Sequence, residues 1–120
     1  MLAMFERWLT PEVFRRGVQA YLREHAEGNA TADDLLDALG AAAERDVRGP
    51  FESFLNQPGV PLVEVTPVCE GETGSLALRQ SRYLPLGSQA SASRTWQVPF
   101  CARYHAGGEV RQVCELVTEA

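Results

Sequence analysis

One corner divides this chain into two kinds of sequence. Gln57-Pro-Gly-Val-Pro61 separates a half whose apolar residues recur at helical spacing from a half in which they alternate. Pro58 cannot continue a helix and biases Gln57 away from helical backbone. Gly59 allows the positive φ that a tight reversal needs. Pro61 suits the first residue of a strand, where no ladder donor is required. Beyond it, Val60, Leu62, Val63 and Val65 are β-formers in near alternation. The expected fold class is therefore α+β, with a helical piece at 1–56 and a β piece at 57–120.

Before the corner, Leu2, Phe5 and Leu9 share one helical face. Thr10-Pro11-Glu12 starts a new helix: a capping hydroxyl, a proline at the first helical position and an acid at the positive end of the helix dipole. That helix runs to about Glu24, with a stripe at Val13, Phe14, Gly17, Val18, Tyr21 and Leu22. Gly17 in mid-helix costs about 1 kcal/mol against alanine, which points to close approach of another helix. Gly28-Asn29 is the expected stop. Thr31 and Asp34 open the next helix, with Leu35, Leu36, Leu39 and Ala43 inward. A short helix over about 47–55 carries Phe51 and Phe54.

After the corner, 60–68 reads as a strand, Glu70–Gly74 as a turn and Leu76–Ser81 as a second strand. Residues 87–94 read as a loop. Trp96, Val98, Phe100, Ala102 and Tyr104 alternate on one strand face, with Trp96 and Tyr104 expected in the core, and His105–Glu109 is a turn before a return strand over 110–117. If Gly107-Gly108 is a two-residue turn, Cys101 falls opposite Cys114 at a non-hydrogen-bonded pair, where Cα atoms approach to about 4.5 Å. That separation suits a disulfide worth roughly 3 kcal/mol. A bridge would imply an oxidising, extracytoplasmic setting; two reduced cysteines would imply the cytoplasm. Cys69 has no evident partner.

The formal charge of −5, with scattered arginines, argues against a general nucleic-acid binder. No apolar run approaches the roughly 20 residues of a membrane span. Glu6 and Arg7 interrupt the first apolar stretch, so it is not a signal peptide. It reads as a helix that starts uncapped, as expected of a piece cut from something longer. No C-x-x-C or H-E-x-x-H motif is present. Cys101 and His105 would lie about 13 Å apart at strand rise, too far for one ion. His25 at a helix end and the Asp33, Asp34 and Asp37 run read as helix-terminus charges. No residue is singled out as catalytic, cofactor-binding or metal-ligating.

A longer pattern resembles a known family. It comprises Met4-Phe-Glu-Arg-Trp-Leu9, Phe14-Arg-Arg-Gly17, Tyr21-Leu22, His25, Gly28-Asn-Ala-Thr31, Asp34-Leu35, Ala38-Leu39 and Gln57-Pro-Gly-Val-Pro61. In this order it resembles the aminopeptidase N-like zinc metallopeptidases. Gln80-Ser-Arg-Tyr83 and Trp96-Gln-Val-Pro99 look like strand segments of the same family. The resemblance implies that 1–56 is the helical tail of a thermolysin-like catalytic domain and that 57–120 is the small antiparallel β-sandwich domain that follows it. It implies zinc in a longer parent, bound by H-E-x-x-H and a downstream Glu, with the motif Glu as general base on zinc-bound water. None of those elements occurs in these 120 residues. The implied partners are the rest of the parent, namely a catalytic domain and a C-terminal helical domain, and the parent's peptide substrates.

Two readings follow. In the first, the chain is a non-catalytic structural part of a zinc aminopeptidase. Apolar helix residues such as Leu2, Phe5 or Tyr21 then face solvent, or drive an artificial homodimer of the fragment. In the second, it is a free-standing β-sandwich binding module with a helical extension, and its outer helix faces are polar.

Overall fold

The computed structural model describes residues 1–71 and 73–120. Among these, the order is α1 (Leu2–Leu9), α2 (Pro11–Glu24), α3 (Ala32–Ala43), α4 (Arg48–Leu55), β1 (Pro61–Glu70), β2 (Thr73–Arg82), β3 (Val98–Ala106) and β4 (Glu109–Val117). This is the α+β succession that the sequence implies. The expected Glu70–Gly74 turn is shorter than predicted, since β1 reaches Glu70 and β2 starts at Thr73; Glu72 lies outside the described residues.

The helices surround Phe5, which has no exposed surface. Its ring stacks on Phe51 with centroids 3.8 Å apart and meets the edges of Trp8 at 6.1 Å and Phe54 at 5.9 Å. Such aromatic contacts add to the stabilisation from apolar burial. Leu9, Leu36, Leu39 and Val47 complete the buried cluster. Phe5 therefore does not face solvent, contrary to one expectation of the fragment reading; the stripe of α4 covers it. Leu2 is exposed and Tyr21 is half-buried.

Caps account for the helix limits. Thr10 is the hinge between α1 and α2, and its hydroxyl accepts the Val13 N–H at 3.4 Å. It pays for this place with φ of 75°, an unfavourable angle for a β-branched residue. Thr31 and Asp34 form a reciprocal capping box on α3, with bonds of 3.3 and 2.8 Å. The Thr31 backbone N–H, then its hydroxyl, hold the Asp34 carboxyl below its ordinary range. Helix α2 stops at Glu24, as the sequence implies, with His25 as its C-cap. Glu27 takes the left-handed conformation at φ 60°, and Gly28 only donates back to the His25 carbonyl.

The β half is two antiparallel hairpins, each a two-stranded sheet: β1 with β2 and β3 with β4. Gly107 and Gly108 have φ of 60° and 81°, as a type I′ turn requires. His105 and Ala106 belong to β3 rather than to the turn, opposite Val110 and Glu109. Burial on β3 is graded along the strand. Val98 and Pro99 are buried, whereas Tyr104, expected in the core with Trp96, is exposed near the tip. Among the described residues, neighbours cover mainly the base of this hairpin.

The molecule is flat, 56 × 47 × 20 Å. Its Cα radius of gyration is 17.3 Å, against about 13.6 Å for a compact chain of this length. The β1–β2 hairpin projects, with Leu62, Val65 and Leu76 exposed. A lone hairpin is marginal in water, so these strands depend on what meets them at the base.

Gly17 and Gly40 should respond oppositely to alanine. A Cβ on Gly17 would lie 2.8 Å from Leu39 Cδ2 and 3.0 Å from Leu39 Cα, so α2 and α3 would have to separate. On Gly40 it would meet only the Arg45 carbonyl, at an ordinary 3.5 Å. In urea denaturation, Gly17→Ala should lose about 1 kcal/mol or more despite its better helix propensity, and Gly40→Ala should gain about 0.5–1 kcal/mol.

Candidate functional site

The place where side chains of distant segments converge is the junction between the helices and the hairpins. It begins at the corner. The Asn56 N–H closes α4 on the Glu52 carbonyl at 2.9 Å. Gln57 then donates from Nε2 to the Ser53 and Thr95 carbonyls, both at 2.8 Å. Ser53 donates to the Pro50 carbonyl at 2.7 Å and accepts the Gln97 N–H at 3.0 Å. The corner is thus tied to the segment that enters β3. Pro58 is exposed, Gly59 has φ of 107° with the Arg82 side chain packed behind it, and Pro61 opens β1 opposite Arg82.

Gln80 makes the second tie. It is buried at the end of β2, and its Oε1 accepts the Trp96 N–H at 2.8 Å. Its Nε2 donates to the carbonyls of Trp96 at 2.8 Å and Val117 at 3.2 Å. One side chain therefore joins the first hairpin to the segment entering β3 and to the end of β4. The Trp96 ring is buried beside it, and its Nε1 has no acceptor among the described residues.

The other face of the second hairpin meets the helices. Cys114 and Leu116 pack against the helical core. Cys101 lies opposite Cys114 with Cα atoms 4.1 Å apart and the sulfurs at a bonding distance of 2.04 Å. The Cys114 sulfur is 4.0 Å from the Arg7 carbonyl of α1. Cys69 is exposed on the first hairpin.

Charges group elsewhere. Arg48 reaches Asp33 at 2.6 Å, Asp37 at 2.7 Å and Glu52 at 3.4 Å. The bonds to Asp37 and Asp33 raise the Arg48 pKa further above its ordinary value. Two members of the Asp33, Asp34 and Asp37 run thus pair with arginine, and the third is a cap. Arg45 donates to the Trp8 carbonyl at 3.2 Å and lies 4.5 Å above the Trp8 ring, a cation–π contact. His25 caps α2 beside Tyr21, and His105 is exposed near the hairpin tip. A hollow of about 480 Å³ between α1 and α2 is open to solvent and lined by Glu6, Glu12 and Arg15 among others. Among the described residues, no three His, Cys, Asp or Glu side chains converge as metal donors. The zinc that the family resemblance implies for a longer parent therefore has no fitting donor set among the described residues.

Gln80, Ser53, Arg45 and Arg48 carry these contacts without having been assigned a role from sequence. Gln80 left a trace: it occupies the position where the alternation of Leu76 and Leu78 calls for an apolar residue. Replacing Gln80 by alanine would strand the Trp96 N–H and two carbonyls in a dry site. The expected loss is about 3 kcal/mol. Urea denaturation of Gln80→Ala measures it, with an exposed β2 variant such as Arg79→Ala as the control.

The Peptidase family M1 domain matches residues 1–54. Aminopeptidase N of Lactobacillus helveticus is 37% identical over 106 residues, which are 88% of this chain and 12% of that protein. Aminopeptidase 2, mitochondrial, of Saccharomyces cerevisiae is 38% identical over 84 residues, 70% of this chain and 8% of the relative. A probable M1 family aminopeptidase 1 of Encephalitozoon cuniculi is 32% identical over 111 residues, 92% of this chain and 12% of the relative. The chain thus spans about 12% of the length of the first relatives it matches. With the helices matched by the family domain and most of the chain covered by its relatives, this chain belongs to the M1 peptidase family.

Proposed function

We propose that the chain is a structural segment of a longer zinc aminopeptidase that removes N-terminal residues from peptides. Residues 1–56 are the helical end of the catalytic domain, and 57–120 begin the β-sandwich that follows it. The zinc, its ligands and the general base are supplied by other parts of the parent. The helices back the catalytic domain, and the hairpins form the bridge towards a later helical domain.

The observation that carries this reading is the similarity to aminopeptidase N over 106 residues, 88% of the chain and so on both sides of the corner. The exposed surface supports it as well. Leu2, Leu22 and Leu55 on the helices and Leu62, Val65 and Leu76 on the first hairpin are all more than 40% exposed. Such residues are expected where the rest of a larger protein packs. They do not favour the free-standing module, whose outer helix faces would be polar. Among the described residues, no helix is long and apolar enough to cross a membrane. The Cys101–Cys114 pairing supports an oxidising, extracytoplasmic setting.

On this reading the 120-residue chain alone does not catalyse. Incubated with zinc and a panel of aminoacyl-p-nitroanilides, the purified protein should release no p-nitroaniline above the zinc-only blank. Zinc-dependent release that co-purifies with the chain and is abolished by a chelator would overturn the proposal.

A further inference from the structure

We infer that the open edge of β2, over residues 74–78, pairs antiparallel with the same edge of a second copy of this chain. Among the described residues β1 and β2 form a two-stranded sheet, so each strand has one edge without a neighbour. Such an edge is a row of unpaired N–H and C=O groups, a template for another strand. Two bonds fix which residues point outward. The Tyr83 N–H meets the Val60 carbonyl at 2.9 Å, which continues the ladder and makes that couple a hydrogen-bonded pair. The Arg82 N–H turns away from β1 to the Ala92 carbonyl at 3.0 Å. Alternation then sends the backbone of Pro61, Val63, Val65, Pro67 and Cys69 out from β1, and that of Gly74, Leu76, Leu78 and Gln80 out from β2.

The two edges are not alike. On β1, Pro61 and Pro67 fall at outward positions and have no N–H to give, which blunts that edge. On β2 the outward residues Gly74, Leu76 and Leu78 all keep their N–H, and among the described residues none of these meets a backbone carbonyl beyond the sheet. The second hairpin offers no equivalent edge. Pro99 is outward on β3, at the same phase as the Cys101–Cys114 pair, and Cys114 and Leu116 of β4 lie against the helical core.

A second copy fits this edge because the stretch is complementary to itself. Centred on Leu76, the pairing sets Leu76 against its own counterpart, Gly74 against Leu78 and Ser75 against Ala77. No charged side chain lies in 74–78, so no like charges meet. A Cβ on Gly74 would have nothing within 4 Å, which leaves room for the opposing leucine. The product is one sheet in the order β1, β2, β2, β1, with Val65, Pro67, Leu76 and Leu78 of both copies on one face. A wider sheet with a shared apolar face is what a lone hairpin lacks. The chain also has surface to spare. It exposes 8421 Å², about 2,000 Å² more than the roughly 6,400 Å² of a compact protein of 13.2 kDa. A standard dimer takes about 800 Å² from each copy. The inference describes the 120-residue chain by itself and does not rest on the proposed parent enzyme.

The test uses the whole chain carrying Cys69→Ser, so that the exposed thiol cannot crosslink two copies. Sedimentation equilibrium is run from micromolar to millimolar chain, with amide hydrogen exchange at both ends of the range. At the high end the expected species has twice the 13.2 kDa mass of one chain. Amide protection of Leu76 and Leu78 should rise with concentration, and that of Val63 and Val65 should not. Leu76→Pro deletes an outward N–H that the hairpin does not use, as Pro67 does directly opposite, and should weaken the dimer by roughly tenfold or more. Leu76→Lys keeps the N–H but sets like charges against each other, and should weaken it by a similar factor even where the proline variant fails to fold. Val65→Lys, on the blunted edge, should leave the association unchanged. A monomer across the whole range overturns the inference. So does a dimer that Val65→Lys dissolves and the Leu76 variants do not, or one whose concentration-dependent protection lies outside β2.

Discussion

Backbone groups that leave a helix or a strand must find new partners, and at the junction of this molecule two glutamine side chains provide them. Gln57 holds the carbonyls of Ser53 and Thr95, and Gln80 holds Trp96 from both its N–H and its carbonyl while also reaching Val117. An amide side chain suits this work because it offers donors and an acceptor on one planar group. Without these ties the β1–β2 hairpin would be two strands in water, which is not a stable arrangement. The helices have their own centre in Phe5, and the second hairpin reaches that centre through Cys114 and Leu116. The fold is therefore a helical core with one hairpin laid on it and a second held to the first by polar contacts.

The elements governed by local chemistry were readable from the sequence. Thr10-Pro11 and the Thr31–Asp34 box set helix starts that the structure reproduces, and Gly107-Gly108 fixed the register of the second hairpin. The α2 end near Glu24 was readable too, although the left-handed residue beyond it is Glu27 and not the expected Gly28. Tyr104 was misjudged because alternation tells which residues share a face, not whether anything covers that face. Phe5 shows the reverse error: α4 packs over a residue that the fragment reading left open. The polar ties were the least legible part. Their partners are backbone groups up to 44 residues away, and no spacing rule points to them.

The exposed apolar residues lie on elements that are otherwise well formed. The radius of gyration of 17.3 Å says the same of the whole: this chain does not close on itself as a compact domain of its length would. Membership of the M1 peptidase family gives that openness a physical sense. On the proposed reading, the surface left open here is where the rest of a larger protein packs, and among the described residues no donor set for a metal comes together.

The most direct measurement is the mass of the native polypeptide that carries this sequence. It can be captured from the cells that make it with an antibody raised against the folded chain, then identified by peptide mass spectrometry. The predicted result is a polypeptide several times larger than 13.2 kDa, with peptides containing H-E-x-x-H ahead of the sequence matched here. Recovery solely of a 13.2 kDa polypeptide would contradict the claim that the chain serves as a structural segment of an aminopeptidase.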